Sequence, residues 1–406
     1  MNLRYLVPAL GVIAVSIPVA TAADQAAAAP AISFEGWIDN KLTISSANNP
    51  QNDPATTKNE KSPEIGFANE SSLKADIKVS DSIKGKINIW LSPGNDGTVA
   101  TSGTGTSVID VREAYLIAGI NQDFSLQAGK YERPIGWISP EPTGLYTVNN
   151  SLIGYTSTYG NDVIGANVTW AHRDSPLVAS VHITNGFFNT ADSASVTPKS
   201  AFGAPASKTA TRGNDDLGFG ASLTFNIGPA VDDNFVGAFL ADDPHVGLPD
   251  TYLITLPGAL PALDQGGNAL LVCVNGQYHI NKSLLVAAEV VYLDIGDSSD
   301  AGATVSNTGG HRDQGLVLAN WALPKGSASF PVSFTGEFQI MEAKGKYAGA
   351  TTEKATEEAI AVLTNPTNSP HFGLNGELAF TQYTDGTTGF NKVNAIVLSI
   401  EAILSF

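Results

Sequence analysis

Residues 393–406 read VNAIVLSIEAILSF, and this stretch decides the fold. The even positions from 396 to 406 are Ile, Leu, Ile, Ala, Leu and Phe, whereas the other face carries Ser399, Glu401 and Ser405. A period of two is the side-chain period of a β-strand. Because one face stays apolar over the whole stretch, the pattern indicates a sheet whose outer surface meets lipid.

The same alternation recurs along the chain and predicts an all-β protein of about sixteen strands. The predicted strands lie near residues 31–44, 73–79, 83–91, 107–120, 122–129, 161–172, 176–185, 214–227, 233–241, 268–280, 283–293, 312–323, 329–341, 355–364, 370–383 and 391–406. The weakest is 355–364, which also fits a helix. We assign it as a strand because single-chain bacterial barrels have an even number of strands.

The connections between these strands alternate in length. The short ones are 81–82, 121, 173–175, 228–232, 281–282, 324–328 and 365–369. The long ones are 45–62, 92–106, 130–160, 186–213, 242–267, 294–311 and 342–354. Short periplasmic turns and long external loops are typical of an antiparallel transmembrane β-barrel. Such a barrel must be closed, because open sheet edges would leave backbone groups unpaired in hydrocarbon. A secreted β-sandwich or solenoid is the alternative fold, and it does not explain the two classes of loop.

The first 22 residues have the features of a secretory signal peptide. Arg4 supplies a positive charge, an apolar run extends from Tyr5 to Ala20, and residues 20–22 form an A-x-A cleavage site. A membrane anchor is the alternative, but the run is short and contains Pro8 and Pro18. We therefore expect a signal peptide at 1–22, a short leader at 23–30 and the barrel at 31–406, exported to the lipid of a Gram-negative outer membrane.

Composition narrows the range of functions. Lys and Arg number 22 and Asp and Glu number 39, which gives a net charge of −17 and disfavours nucleic acid as a partner. Cys273 is the single cysteine, so no internal disulfide and no paired-cysteine metal site is expected. The sequence has no G-x-S-x-G, H-E-x-x-H or complete G-x-G-x-x-G motif. We therefore expect no enzyme activity, no catalytic or metal-binding residues and no cofactor.

Residues 112–116 read REAYL and residues 125–136 read SLQAGKYERPIG. These segments resemble the corresponding strands of bacterial outer-membrane porins of the phosphate-selective type and of the related OmpL-like and LbtU-type siderophore porins. The terminal Phe406 similarly resembles the C-terminal signature of outer-membrane β-barrels. The resemblance implies a channel of about sixteen strands, a homotrimer, and a loop at 130–160 that folds inward, with Lys130, Glu132 and Arg133 at its start.

The residues of 130–160 independently favour a packed loop. The segment is rich in aromatic residues and proline, including Trp137, Pro140 and Tyr146, which suits packing against the barrel interior or a neighbouring subunit. Charged side chains at such a constriction would set ion selectivity. Alternatively, they form an ion pair at the rim with no role in selectivity.

A second charged group lies on two adjacent predicted strands. Lys74, Lys78, Lys84 and Lys86 share the non-apolar face around one tight turn, with Asp76 among them. The cluster would attract anions at the periplasmic mouth, or neighbouring acids on the wall would neutralise it. Because arginines are few and the chain is acidic, the sequence does not favour specificity for phosphate.

Together these features predict an outer-membrane porin that passes small hydrophilic solutes or ions by diffusion. One alternative is a substrate-specific uptake channel for a siderophore or another organic solute. Another is a surface or adhesion barrel that transports nothing. Conductance measurements would distinguish the three.

Overall fold

A computed structural model describes residues 31–48, 64–92, 108–137, 145–148, 162–184, 187, 217–228, 233–246, 267–295, 310–345, 352–367, 371–384 and 393–406. The predicted signal peptide and leader lie outside these residues. Within them, no helix is long and apolar enough to cross a membrane.

Sixteen strands form one antiparallel sheet, which confirms the predicted fold class and strand number. They are β1 (Ala31–Asn48), β2 (Glu64–Lys78), β3 (Ile83–Ser92), β4 (Val108–Gly119), β5 (Phe124–Glu132), β6 (Asp162–Ala171), β7 (Leu177–Thr184), β8 (Gly218–Asn226), β9 (Phe235–Val246), β10 (Gly267–Asn281), β11 (Leu284–Ile295), β12 (Gly310–Ala322), β13 (Val332–Gly345), β14 (Thr352–Thr364), β15 (Phe372–Thr384) and β16 (Val393–Ser405). The weakly predicted strand is β14, which pairs with β13 and β15 along its length.

The sheet closes on itself because β1 pairs with β16. Their register begins with Trp37 opposite Ser405, and one residue further Gly36 and Phe406 exchange two backbone hydrogen bonds of 2.9 Å. Closure gives every strand two neighbours. In hydrocarbon an unpaired backbone group costs several kcal/mol, so closure is what allows strands to span a bilayer.

The wall has an apolar outer face and an inner face that carries both polar and apolar side chains. In β16, Ile396, Leu398 and Ile400 are exposed on the outside, whereas the neighbouring Ser399 and Glu401 are buried on the inside. The other strands repeat the exposed apolar outer face, whereas the buried inward residues of β9–β11 are mostly apolar. The stretch that decides the fold therefore behaves as its sequence pattern predicts.

Gly36 is required where the barrel closes. A Cβ atom at this position would collide with the carbonyl oxygen of Ser72 and would lie 2.7 Å from the ring of Phe406. The terminal aromatic ring thus covers the site that the glycine leaves open. This contact joins Phe406 to β1.

The alternation of long and short links is confirmed for most of the chain, with two departures. The link after β13, predicted as long, is the six residues 346–351, and the link after β12, predicted as short, is 323–331. Both differ because β13 is shifted towards the C-terminus relative to its prediction, as Lys344 and Gly345 still pair with β12. The link after β13 is shortened further because β14 begins at Thr352 rather than at residue 355.

Candidate functional site

The closed wall surrounds an interior that carries both charge signs. Buried carboxylates face inward from seven strands, one of which is β4 with Glu113, and buried or half-buried cations lie on the same face. The inward carboxylates of β11 and β13–β16, with that of β1, are Glu289, Glu337, Glu357, Glu377, Glu401 and Asp39. An inner face of this kind can offer hydrogen bonds and charge to a hydrated solute.

The segment that follows β5 contacts the inner face of the opposite wall. Ile135 is buried among Leu271, Cys273 and Leu293 of β10 and β11. The backbone N–H of Trp137 donates to Glu289, and its indole N–H donates to the Oε1 of Gln277 at 2.7 Å. These acceptors face inward, because their strand neighbours Val290 and Tyr278 are exposed on the outside.

Nine residues after Trp137, the same segment contacts the next strand of the wall. Trp137 and Tyr146 stack with ring centroids 5.4 Å apart and pack against Leu316 and Leu318 of β12. Burial and the nearby Asp233 carboxylate raise the pKa of the Tyr146 hydroxyl above its usual value. The indole and phenol rings therefore sit against the inner wall.

Val148 carries the segment to β15 and β1. Its N–H donates to the Oε2 of Glu377 at 2.6 Å, and its carbonyl oxygen accepts from the Nζ of Lys41 at 3.3 Å. Carboxylate acceptors of this kind make the stronger class of hydrogen bond. Residues 133–137 and 145–148 thus contact β10, β11, β12, β15 and β1, while the rest of 138–160 lies outside the described residues.

Three further acids of this wall, Glu337, Glu357 and Glu401, are bonded to neutral side chains. Gln339 donates to both Glu337 and Glu357, and Thr381 donates to Glu357 at 3.1 Å. Asn375 donates to Glu401 at 2.9 Å. The carboxylates from β13 to β16 are therefore held by amides and a hydroxyl in addition to the loop segment.

The four predicted lysines come together on β2 and β3. In register, Lys78 lies opposite Lys84, and Asp76 lies opposite Lys86. Lys74 forms an ion pair with Glu35 at 3.5 Å, and Lys86 forms one with Glu113 at 3.0 Å.

The lysine nearest the turn has a carboxylate partner as well. Lys78 pairs with Asp81 at 2.7 Å, and this bond lowers the pKa of the exposed Asp81 carboxyl. Three of the four lysines therefore lie beside an acid. This agrees with the alternative that neighbouring acids on the wall neutralise the cluster.

Lys130, Glu132 and Arg133 differ in their positions in the fold. Lys130 and Glu132 belong to β5, so the connection starts at Arg133 rather than at residue 130. Lys130 lies opposite Ala114 and Ile164 on the outward face, which does not support a pore-lining role. Arg133 is buried and donates to the carbonyl oxygen of Phe187, which ties the start of the connection to the segment after β7.

Sequence reasoning missed the residues that receive the loop segment. Gln277, Glu289 and Glu377 were not singled out, although each is a polar residue on the inward side of a strand with an apolar outward face. Glu289 stands alone in the otherwise apolar run 284–293, which is the signal that marks it. Among the described residues, no group of three His, Cys, Asp or Glu side chains is placed to hold a metal ion.

No protein-family model matches the chain, and no curated protein matches it in sequence. Solved structures of outer-membrane porins do match in fold. The outer membrane channel DcaP of Acinetobacter baumannii is 12% identical with a TM-score of 0.60, and the match covers 94% of this chain and 99% of that one. An anion-selective porin from Comamonas acidovorans is 11% identical with a TM-score of 0.57, covering 93% and 100%.

A third similar structure is the trimer form of OmpT, an outer membrane protein of Vibrio cholerae. It is 13% identical with a TM-score of 0.50, and the match covers 93% of this chain and 100% of that one. Likeness at this identity shows that the chain shares the fold of these proteins. The particular porin group suggested by the REAYL and GKYERPIG segments stays a prediction.

Proposed function

We propose that the protein is an outer-membrane porin through which small hydrophilic solutes and ions diffuse. One observation carries the proposal: a closed barrel with an apolar outside encloses a charged interior across which the segment after β5 extends. At about sixteen strands such a barrel is wide enough for an aqueous channel. The route needs no chemical step and no cofactor.

The segment 130–160 narrows this channel. Support comes from its two described parts, which hydrogen-bond to inward side chains on β10, β11 and β15 rather than extending away from the barrel. A solute passing beside it exchanges hydration water for hydrogen bonds to the inner face. Because acids and bases both line the wall, and the lysines of β2 and β3 are largely paired, ionic selectivity is weak.

The protein acts in a Gram-negative outer membrane, surrounded by lipid, as a homotrimer. The exposed apolar side chains of the outer face support the lipid contact. The similarity to the trimer form of OmpT supports the assembly. Chemical cross-linking of the purified protein in detergent tests the trimer, and a single monomeric band would contradict it.

Planar lipid bilayers test the channel itself. The full chain, purified in detergent and added to the bilayer at low protein concentration, is expected to insert as discrete current steps that are ohmic at low voltage. Heat-denatured protein is the matched control. A folded barrel that inserts without any current step would overturn the proposal and favour a surface barrel that transports nothing.

A further inference from the structure

The inner face of β4–β7 forms a recess that the loop contacts do not use. Its volume is about 340 Å³, at the small end of the range for small-molecule sites. Its lining includes Glu113, Tyr115, Gln127, Asn167, Thr169 and His182. A recess of this size has room for one small solute.

Two glycines shape the wall at this point. Gly129 lies opposite Gly165 on β6 and opposite Tyr115 on β4. A Cβ atom at Gly129 would collide with the carbonyl oxygen of Ala114 and lie 2.8 Å from the Cα of Tyr115, and the φ angle of Gly129 is +131°, which favours glycine. No side chain therefore stands between Gln127 and Tyr131 on the inner face of β5.

Three lining side chains keep hydrogen-bonding capacity. The Oε1 of Gln127 accepts from Asn167 at 2.8 Å, and among the described residues its amide N–H groups have no acceptor. Both contacts of Glu113, from Asn88 and Lys86, involve Oε2 and leave Oε1 able to accept. The Tyr115 hydroxyl, which can donate and accept, makes no hydrogen bond within the described part of the chain.

The charge of the recess disfavours an anion. No Lys or Arg is among the described residues that line it, whereas two carboxylates, Glu113 and Glu132, are. The charge of Glu113 is balanced by Lys86 at 3.0 Å. The recess offers the amide donor of Gln127, the acceptor oxygen of Glu113 and the hydroxyl of Tyr115. These groups match a ligand that both donates and accepts hydrogen bonds. Hydroxyl groups on adjacent carbons have this property.

We propose that the recess binds a neutral polyhydroxylated solute, one monosaccharide unit in size, during passage through the barrel. The proposal rests on the proposed channel function and names a solute class for it. Three exchangeable hydrogen bonds, each of modest net strength, give weak binding in the millimolar range. Weak binding is what a channel site requires, because the solute must also leave.

Binding and conduction are measured separately so that each can fail alone. Saturation-transfer NMR on the full chain in detergent, with methyl glucoside as the probe, reports binding whether or not the barrel conducts. Triethylene glycol, an ether without adjacent hydroxyl groups, is the matched probe. In bilayers, methyl glucoside is expected to reduce the ion current saturably.

The variants are Tyr115→Phe, which removes one hydroxyl, and Gln127→Ala, which removes the amide. Each is expected to raise the apparent Kd for methyl glucoside about fivefold, the equivalent of one hydrogen bond. Tyr292→Phe, which removes a hydroxyl from the outer face, is the control and should leave the Kd unchanged.

Transfer signals that are equal for the two probes, or a Kd that both variants leave unchanged, would overturn the recess proposal while leaving the channel standing. Displacement of methyl glucoside by millimolar phosphate would also overturn it, because the site would then favour anions. Sugar binding without any ion current would instead support the recess and contradict the channel.

Discussion

Two parts of the inner wall hold their charges in different ways. On β2 and β3, three of the four lysines pair with carboxylates, and the pair nearest the turn is exposed to solvent. On β11–β16, carboxylates are buried and bond to amides, a hydroxyl and the backbone of the loop segment. The same period-two pattern thus produces a self-neutralised cluster on one side and an attachment surface on the other.

This difference shows that the role of an inward charged side chain depends on whether the loop segment after β5 contacts it. Exposed ion pairs contribute little because water and salt screen them. A buried carboxylate that accepts a backbone N–H contributes more, because its alternative is an unpaired charge. Substitutions in the two regions should therefore differ in kind as well as in size.

The largest effect is expected when both attachments of the loop segment are removed. Glu289→Ala with Glu377→Ala deletes the acceptors of Trp137 and Val148. Each charge-assisted bond contributes about 1.5–3 kcal/mol, so the segment should detach for a large fraction of the time. Single-channel recordings should show a higher mean conductance and frequent transitions between current levels.

The control for this pair is Glu337→Ala. Glu337 is also a buried acid of the same wall, and its described hydrogen bond is to Gln339, not to the loop segment. Transitions that appear equally in the control would mean that loss of any inward acid loosens the barrel.

A second large effect is expected at the aromatic stack. Trp137→Ala removes the ring that covers Tyr146 and the hydrogen bond to Gln277. Since burial raises the Tyr146 pKa, exposure should lower it towards its ordinary value of about 10. Ultraviolet absorbance titration at alkaline pH measures this pKa. Subtracting the titration curve of the double variant Trp137→Ala with Tyr146→Phe isolates the contribution of Tyr146.

The sign of the effect follows from linkage. A raised pKa means that the packed state holds Tyr146 neutral, so packing is fully favoured below pH 10 and weakens as the pH rises through the packed-state pKa. Current transitions in the unmodified protein should therefore become more frequent in strongly alkaline solution. An unchanged Tyr146 titration in Trp137→Ala would contradict the stacking as the cause of the shift.

Buried and exposed pairs within the lysine cluster should differ in stability. Lys86→Gln leaves the Glu113 carboxylate, whose side chain is 10% exposed, without its cation and should lower the free energy of unfolding by about 2 kcal/mol. Lys78→Gln breaks a solvent-exposed pair and should have no measurable effect. Urea unfolding in lipid vesicles, followed by tryptophan fluorescence, compares the two, and equal losses would refute the distinction.

The smallest effect concerns ion selectivity. Lys84→Glu with Lys86→Glu reverses charge around the β2–β3 turn and should shift the reversal potential in a salt gradient towards cations. The reversal potential should be measured at about 0.1 M salt or below, where the Debye screening length is about 10 Å or longer. Lys130→Gln on the outward face is the control. If it shifts the reversal potential as much as the double variant does, Lys84 and Lys86 do not determine the ion selectivity.

The fold could be predicted because its signal is local. Residues 396–406 alternate in the sequence and in exposure alike, since side chains two apart share one face of a strand. Even β14, whose sequence also fits a helix, is a strand, because its neighbours β13 and β15 pair with it on both sides. The period-two pattern and the parity of the strand count were sufficient.

The site was less predictable because its contacts are distant in sequence. The bond from Val148 to Glu377 joins residues that no local pattern relates. The predicted loop start at residue 130 was wrong because Lys130 and Glu132, polar residues at a strand end, look like a loop although they still pair with β6. The lysine cluster was predictable, because a short turn brings β2 and β3 together, but its acidic partners on β1 and β4 depend on tertiary register.

The seam between Gly36 and Phe406 also constrains how the protein is made. Pairing β1 with β16 joins the two ends of the barrel-forming chain, so this contact is the least local and among the slowest to form. Until then two strand edges offer unpaired N–H and C=O groups to any other chain nearby. Refolding yield should therefore fall as protein concentration rises, since intermolecular edge pairing is second order whereas ring closure is first order.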